Sequence, residues 1–94
     1  MIHVVIHLKL QDYRKWRPVF DRLASARKEM GSQGGELLRN SQNPNDVLVL
    51  WHWESAEGAR EYFGIPAWRD LMLDYGATEV PEVTLFDIVD AVPM

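Results

Sequence analysis

Apolar side chains recur at every second position from Ile2 to Leu8 and again from Val47 to Trp53, whereas the segment that follows each run shows helical spacing. "IHVVIHLKL" predicts a strand of about eight residues, rich in β-branched side chains and leucine. Ile2, Val4, Ile6 and Leu8 occupy one face, and His3, Val5, His7 and Lys9 the other. In "QDYRKWRPVFDRLASARKEMG", Asp12 is a good N-cap. Tyr13, Trp16, Phe20, Leu23, Arg27 and Met30 fall at helical spacing, and Gly31 supplies the stop. Pro18 lacks the N–H that would reach the Arg14 carbonyl, so a short first turn, a kink and a main helix from about Arg17 are predicted.

"GGELLRNSQ" reads as a second strand, with Gly34 and Gly35 as the turn into it, and "NPND" as a turn leading to the third strand, "VLVLWHW". Ser55 then caps the helix "AEGAREYF", with Glu57 in its first turn where the helix dipole favours a carboxylate. Gly64 and Pro66 divide this helix from "PAWRDLMLDYG", whose stripe is Trp68, Leu71, Met72 and Tyr75. "VTLFDIVDAV" closes the chain as a fourth strand.

The order βαββαβ over residues 1–94 specifies a single α+β domain. Its architecture is a ferredoxin-like four-stranded antiparallel sheet with helices on one face. That arrangement leaves Val5, Leu48, Leu50 and Leu85 on a sheet face with no helix over it. A contiguous apolar face on a chain of 94 residues implies burial by a partner, and a sheet-to-sheet homodimer is the simplest solution.

Composition narrows the classes of function. The absence of cysteine removes disulfides and thiolate chemistry, and nothing ties the chain to an oxidising compartment, so a cytoplasmic location is expected. The N-terminal run is broken by histidines and lysine, so neither a secretory leader nor a membrane span is expected. Fourteen acidic against ten basic residues give a net charge of −4, which repels phosphate backbones and argues against a nucleic-acid partner.

Two groups of side chains carry candidate chemistry. Pairing the start of the first strand with the end of the third sets His3 opposite His52. Asp87 is expected near Val5, diagonal to His3 and His7. The three residues His3, His52 and Asp87 are therefore candidate acid–base groups, although a polar layer in the interface is the simpler assignment and no metal site is expected. The second group is aromatic: Trp16, Phe20, Trp53, Tyr62, Trp68 and Tyr75 converge between sheet and helices, either as ligand-binding walls or as ordinary core. Arg14, Lys15, Arg17, Arg27 and Lys28, with Asp21 and Glu29, read as a solvated helix face.

"DYRKWRPVFD", "NPNDVLVLWHWES" and "YFGIPAWRDLM" together resemble the dimeric α/β-barrel superfamily, and within it the small proteins similar to antibiotic-biosynthesis monooxygenases. The resemblance extends over nearly the whole element order. It implies that Trp53, before Glu54 and Ser55, lines a pocket between sheet and helices. Heme-binding and polyketide-oxidising relatives carry a histidine on the second helical region. Tyr62, Phe63, Gly64, Ile65, Pro66, Ala67 and Trp68 stand there in this chain, so no heme ligand comes from that helix and no cofactor is expected. Two functions fit: a cofactor-independent monooxygenase or isomerase acting on a small hydrophobic or aromatic compound, and a non-catalytic ligand-binding or stress-associated protein.

Overall fold

A computed structural model describes residues 2–93. Its elements are β1 (Ile2–Lys9), α1 (Tyr13–Arg22), α2 (Ala24–Glu29), β2 (Ser32–Arg39), β3 (Asp46–Trp53), α3 (Ala56–Gly64), α4 (Pro66–Asp74) and β4 (Glu82–Asp87). The four strands form one antiparallel sheet in the order β2-β3-β1-β4, the ferredoxin-like arrangement. Alternation decides its two faces. Ile2, Val4, Ile6 and Leu8 of β1 and Val47, Val49, Trp51 and Trp53 of β3 are buried beneath the helices. His3, Val5, Leu48, Leu50 and His52 lie half-buried on the face that no helix covers.

The first helical region departs from the expected kink. α1 runs through Pro18 without interruption, and the break comes later, at Leu23. Proline removes one bond, to the Arg14 carbonyl, and both Pro18 and Arg14 are exposed, so water can satisfy that oxygen and the helix continues. Asp12 caps α1 as expected, its Oδ1 accepting from the Arg14 N–H at 2.9 Å. Ser55 caps α3 in the same way, its Oγ accepting from the Gly58 N–H at 3.0 Å.

Gly34 and Gly35 lie inside β2 instead of preceding it. The register with β3 shifts between Ser32 and Gly35, a β-bulge, and a Cβ at Gly35 would overlap the Leu50 carbonyl oxygen. Gly34, at φ +90°, supplies the left-handed residue the bulge requires.

β4 differs from expectation in length and in face. It ends at Asp87, opposite Ile2, because β1 offers no described residue beyond that point to pair with. Ile88, Val89 and Val92 continue past the sheet as exposed chain. Leu85 pairs with Val4 and packs on the helix-side core, while Thr84 and Phe86 take the open face. The segment "VTLFDIV" is apolar at both parities, so its pattern does not fix the register, and the core contacts of Val83 and Leu85 do.

The turn before β3 is held by its own polar side chains. Asp46 accepts from Asn40 Nδ2 at 3.0 Å and meets His7 Nε2 at 2.5 Å. The Asn40 bond, and then His7, hold the Asp46 carboxyl below its ordinary pKa. A depressed carboxylate contributes stability above its unfolded pKa and loses it as pH falls through the lower folded value. A carbon-detected NMR titration is expected to show Asp46 titrating below an unperturbed aspartate, with the depression reduced in Asn40→Ala. An unshifted Asp46 would contradict these bonds.

Candidate functional site

The helix side of the sheet carries a continuous aromatic assembly. Trp16 meets Phe20 at 4.7 Å between ring centroids, Phe20 meets Trp51 at 5.7 Å, and Trp51 meets Trp53 at 6.4 Å. Trp53 in turn contacts Tyr62 and Phe63, and Phe63 contacts Trp68 at 5.1 Å. Each pair is offset, tilted or edge-on, the arrangements that ring quadrupoles favour.

A cavity of about 30 Å³ lies within this assembly. Its walls are Ile6 and Leu8 of β1, Trp16 and Phe20 of α1, Arg27 of α2, Val49 and Trp51 of β3, and Tyr62, Phe63, Trp68 and Met72 of α3 and α4. Such a void holds one or two waters, against roughly 300 Å³ or more for a drug-sized ligand. Of the six aromatics read from the sequence, Trp16, Phe20, Tyr62 and Trp68 line it. Trp53 sits behind the wall, fully buried, its Nε1 donating to the Met30 carbonyl at 3.1 Å. Tyr75 is 44% exposed at the C-cap of α4 and borders a separate surface depression with Asp12 and Lys15. The stripe of α4 delivers Met72 to the cavity in its place.

Sequence reasoning passed over Arg27, which is 8% exposed and not part of a solvated face. Its guanidinium carbon lies 4.4 Å from the centre of the Phe20 ring and 4.8 Å from that of Trp51, and Nη1 donates to the Phe20 carbonyl at 2.9 Å. No carboxylate of the described residues forms an ion pair with it. Burial lowers its pKa, with Tyr62 and then Asp21 acting in the opposite direction. An arginine nevertheless stays protonated. Burial also raises the pKa of the Tyr62 hydroxyl, against the pull of Arg27. Arg27 and Tyr62 are the titratable groups in the cavity wall, and neither is a base at neutral pH.

His3 and His52 are brought together as the strand pairing requires, directly opposite each other with their Nε2 atoms 3.2 Å apart. One ring must donate and the other accept. Asp87 is not with them. It pairs opposite Ile2, which gives it the helix-side parity, and the open-face neighbours of β1 on β4 are Phe86, Thr84 and Glu82. Thr84, not Asp87, stands opposite Val5, so the expected cluster of His3, His52 and Asp87 does not form. Among the described residues no group of three or more histidine, aspartate and glutamate side chains is placed to hold a metal ion.

Solved structures share this architecture. SnoaB, a cofactor-independent oxygenase from Streptomyces nogalater, is 20% identical to the chain, covers 99% of it over 97% of its own length, and superposes with a TM-score of 0.78. A protein from Bordetella bronchiseptica provisionally designated an antibiotic biosynthesis monooxygenase is 18% identical, with coverage of 94% and 96% and a TM-score of 0.74. Another of that designation from Caulobacter crescentus is 23% identical, with coverage of 95% and 90% and a TM-score of 0.72. The chain has their fold. At these identities the likeness carries the architecture and leaves the chemistry to the site itself. No family model matches the sequence, and no curated protein matches it.

Proposed function

We propose that the protein binds a small, flat hydrophobic or aromatic compound between sheet and helices and acts on it as a cofactor-independent monooxygenase or isomerase. The observation that carries this reading is the aromatic-walled cavity of Trp16, Phe20, Trp51, Tyr62 and Trp68 with a buried cation at its edge. The solved oxygenase of the same fold is consistent with it. In such a reaction the bound substrate, as its enolate or phenolate, supplies the electrons to dioxygen, and the protein binds, orients and desolvates it. A non-catalytic ligand-binding role is the second reading, favoured by the lack of a general base in the cavity wall.

His3 and His52 lie across the sheet from the cavity, so this reading assigns them to a subunit interface instead of to the chemistry. The open face and the exposed Phe86, Ile88, Val89 and Val92 support a homodimer. No helix among the described residues is long and apolar enough to cross a membrane. A cytoplasmic setting remains part of the proposal and rests on the sequence reading alone.

The test pairs tryptophan fluorescence with an oxygen electrode, using 1-naphthol as probe over a pH range that includes its phenolate. Saturable quenching with oxygen uptake above the protein-free control supports the enzyme. Quenching without uptake supports the binding protein. Absence of both responses would overturn the cavity as a ligand site.

A further inference from the structure

Arg27 has no part in the resemblance that suggested a pocket, yet it is the charged side chain at the edge of the cavity. Along with Trp51 it also faces a second, outer space, a depression of about 390 Å³ bordered by Ala24, Lys28, Ser32, Gln33 and Gly34. The two residues therefore form the partition between the interior and the surface. The rim of the outer depression holds two cations, Arg27 and Lys28, and no carboxylate, in a chain whose net charge is −4. These two cations favour an anion at the mouth, with Asp21 of α1 opposing them from outside the rim.

A buried guanidinium with five donors and one carbonyl partner retains bonding capacity that a ligand can use. The cavity wall offers no base to ionise a neutral ligand, so a ligand that reacts as an anion must arrive as one.

We propose that the ligand of this site is a planar aromatic anion, whose ring stacks among Phe20, Trp51 and Trp68 and whose oxyanion pairs with Arg27 at the partition. The inference rests on the cavity being a ligand site and specifies what enters it. The present void is too small for a ring, so entry requires the Arg27 side chain to lift off Phe20 and Trp51 toward the outer depression. That movement leaves the guanidinium at the mouth, where it meets the anion. Ser32 and Gln33, on the bulged strand opposite, provide further donors there.

The experiment compares 2-naphthoate with its neutral isostere 2-naphthamide by calorimetric titration at pH 7, with tryptophan fluorescence as a second signal. Naphthoate is expected to bind about tenfold or more tightly than the amide, the scale of one partly buried charge-assisted pair. Arg27→Gln is expected to bring the ratio of the two affinities to about one, and Arg27→Lys to keep part of the preference. Equal affinity of the two probes for the unmodified protein would overturn the anion inference and leave the cavity reading standing. Binding of neither would overturn both. A preference that survives Arg27→Gln would place the anion on some other cation and refute the assignment. The unmodified protein alone discriminates the probes, so the test holds even if Arg27→Gln fails to fold.

Discussion

Trp53→Ala is expected to cost the protomer about 3–5 kcal/mol, the range for deleting a buried aromatic and leaving the space open. Trp53 has no exposed surface, its ring contacts Trp51, Tyr62 and Phe63, and its Nε1 donates to the Met30 carbonyl. It therefore ties the end of β3 to α3 and to the end of α2. Alanine removes the ring from all three contacts and deprives the Met30 oxygen of its donor. Gly31 packs against the same indole, where an added Cβ would come within 2.9 Å of Nε1, so the backbone around the site is fitted to this side chain. For a domain of this size each kcal/mol moves the midpoint by roughly 4–8 °C, which puts the expected fall in Tm at about 12 °C or more. Calorimetry measures it directly, and a loss below about 1 kcal/mol would show that the indole is not the pin described here.

Leu50→Lys addresses the opposite face. Leu50 stands at the middle of β3, between Val5 of β1 and Glu36 of β2, half-buried in the protomer and pointing away from the helices. In the proposed dimer it lies within an apolar face that also includes Val5, Leu48 and the exposed Phe86 and Leu38. A stable sheet-to-sheet interface of this kind buries more than about 1,000 Å² in total. Lysine at this position introduces two ammonium groups per dimer, and each loses several kcal/mol of hydration if it is enclosed. The dimer is expected to weaken by roughly a thousandfold or more while the protomer stays folded, since the helix-side core is untouched. Sedimentation velocity distinguishes the species. A monomer for the unmodified protein at tens of micromolar would refute the dimer.

The element order and the faces of β1 and β3 were legible because one parity of each strand is consistently apolar, and a register slip would have exposed it. β4 gave no such constraint. With apolar side chains at both parities, only contact with the rest of the core places it, and Leu85 and Asp87 both take the helix-side parity instead of the expected open face. Local chemistry predicts a break in the first helix at Pro18, but an exposed carbonyl tolerates the missing donor and the interruption falls at Leu23.

The cavity was read in outline and missed in its decisive residue. Arg27 lies on the same stripe as Phe20 and Leu23, and that spacing was the signal. Its charge suggested solvent, because the aromatic rings that accommodate the guanidinium come from two different elements and meet only in the folded chain. Tyr75 failed for a related reason: it belongs to the stripe of α4, but the helix ends at Asp74 and the tyrosine turns outward with the cap.

The strand order has a consequence for how the chain reaches this state. β2 and β3 are joined by a short turn and can pair as soon as both have been made. β1 occupies the centre of the sheet, yet its partners lie about fifty and about eighty residues away, since His3 meets His52 on one side and Phe86 on the other. During synthesis this central strand waits for β3 on one side and for β4 on the other before either the sheet or the core beneath it is complete. Pairings of such separation carry a large loop-closure entropy, so folding is expected to be slower than in helical proteins of the same length. Until β3 has been made, the growing chain leaves β1 without a strand partner.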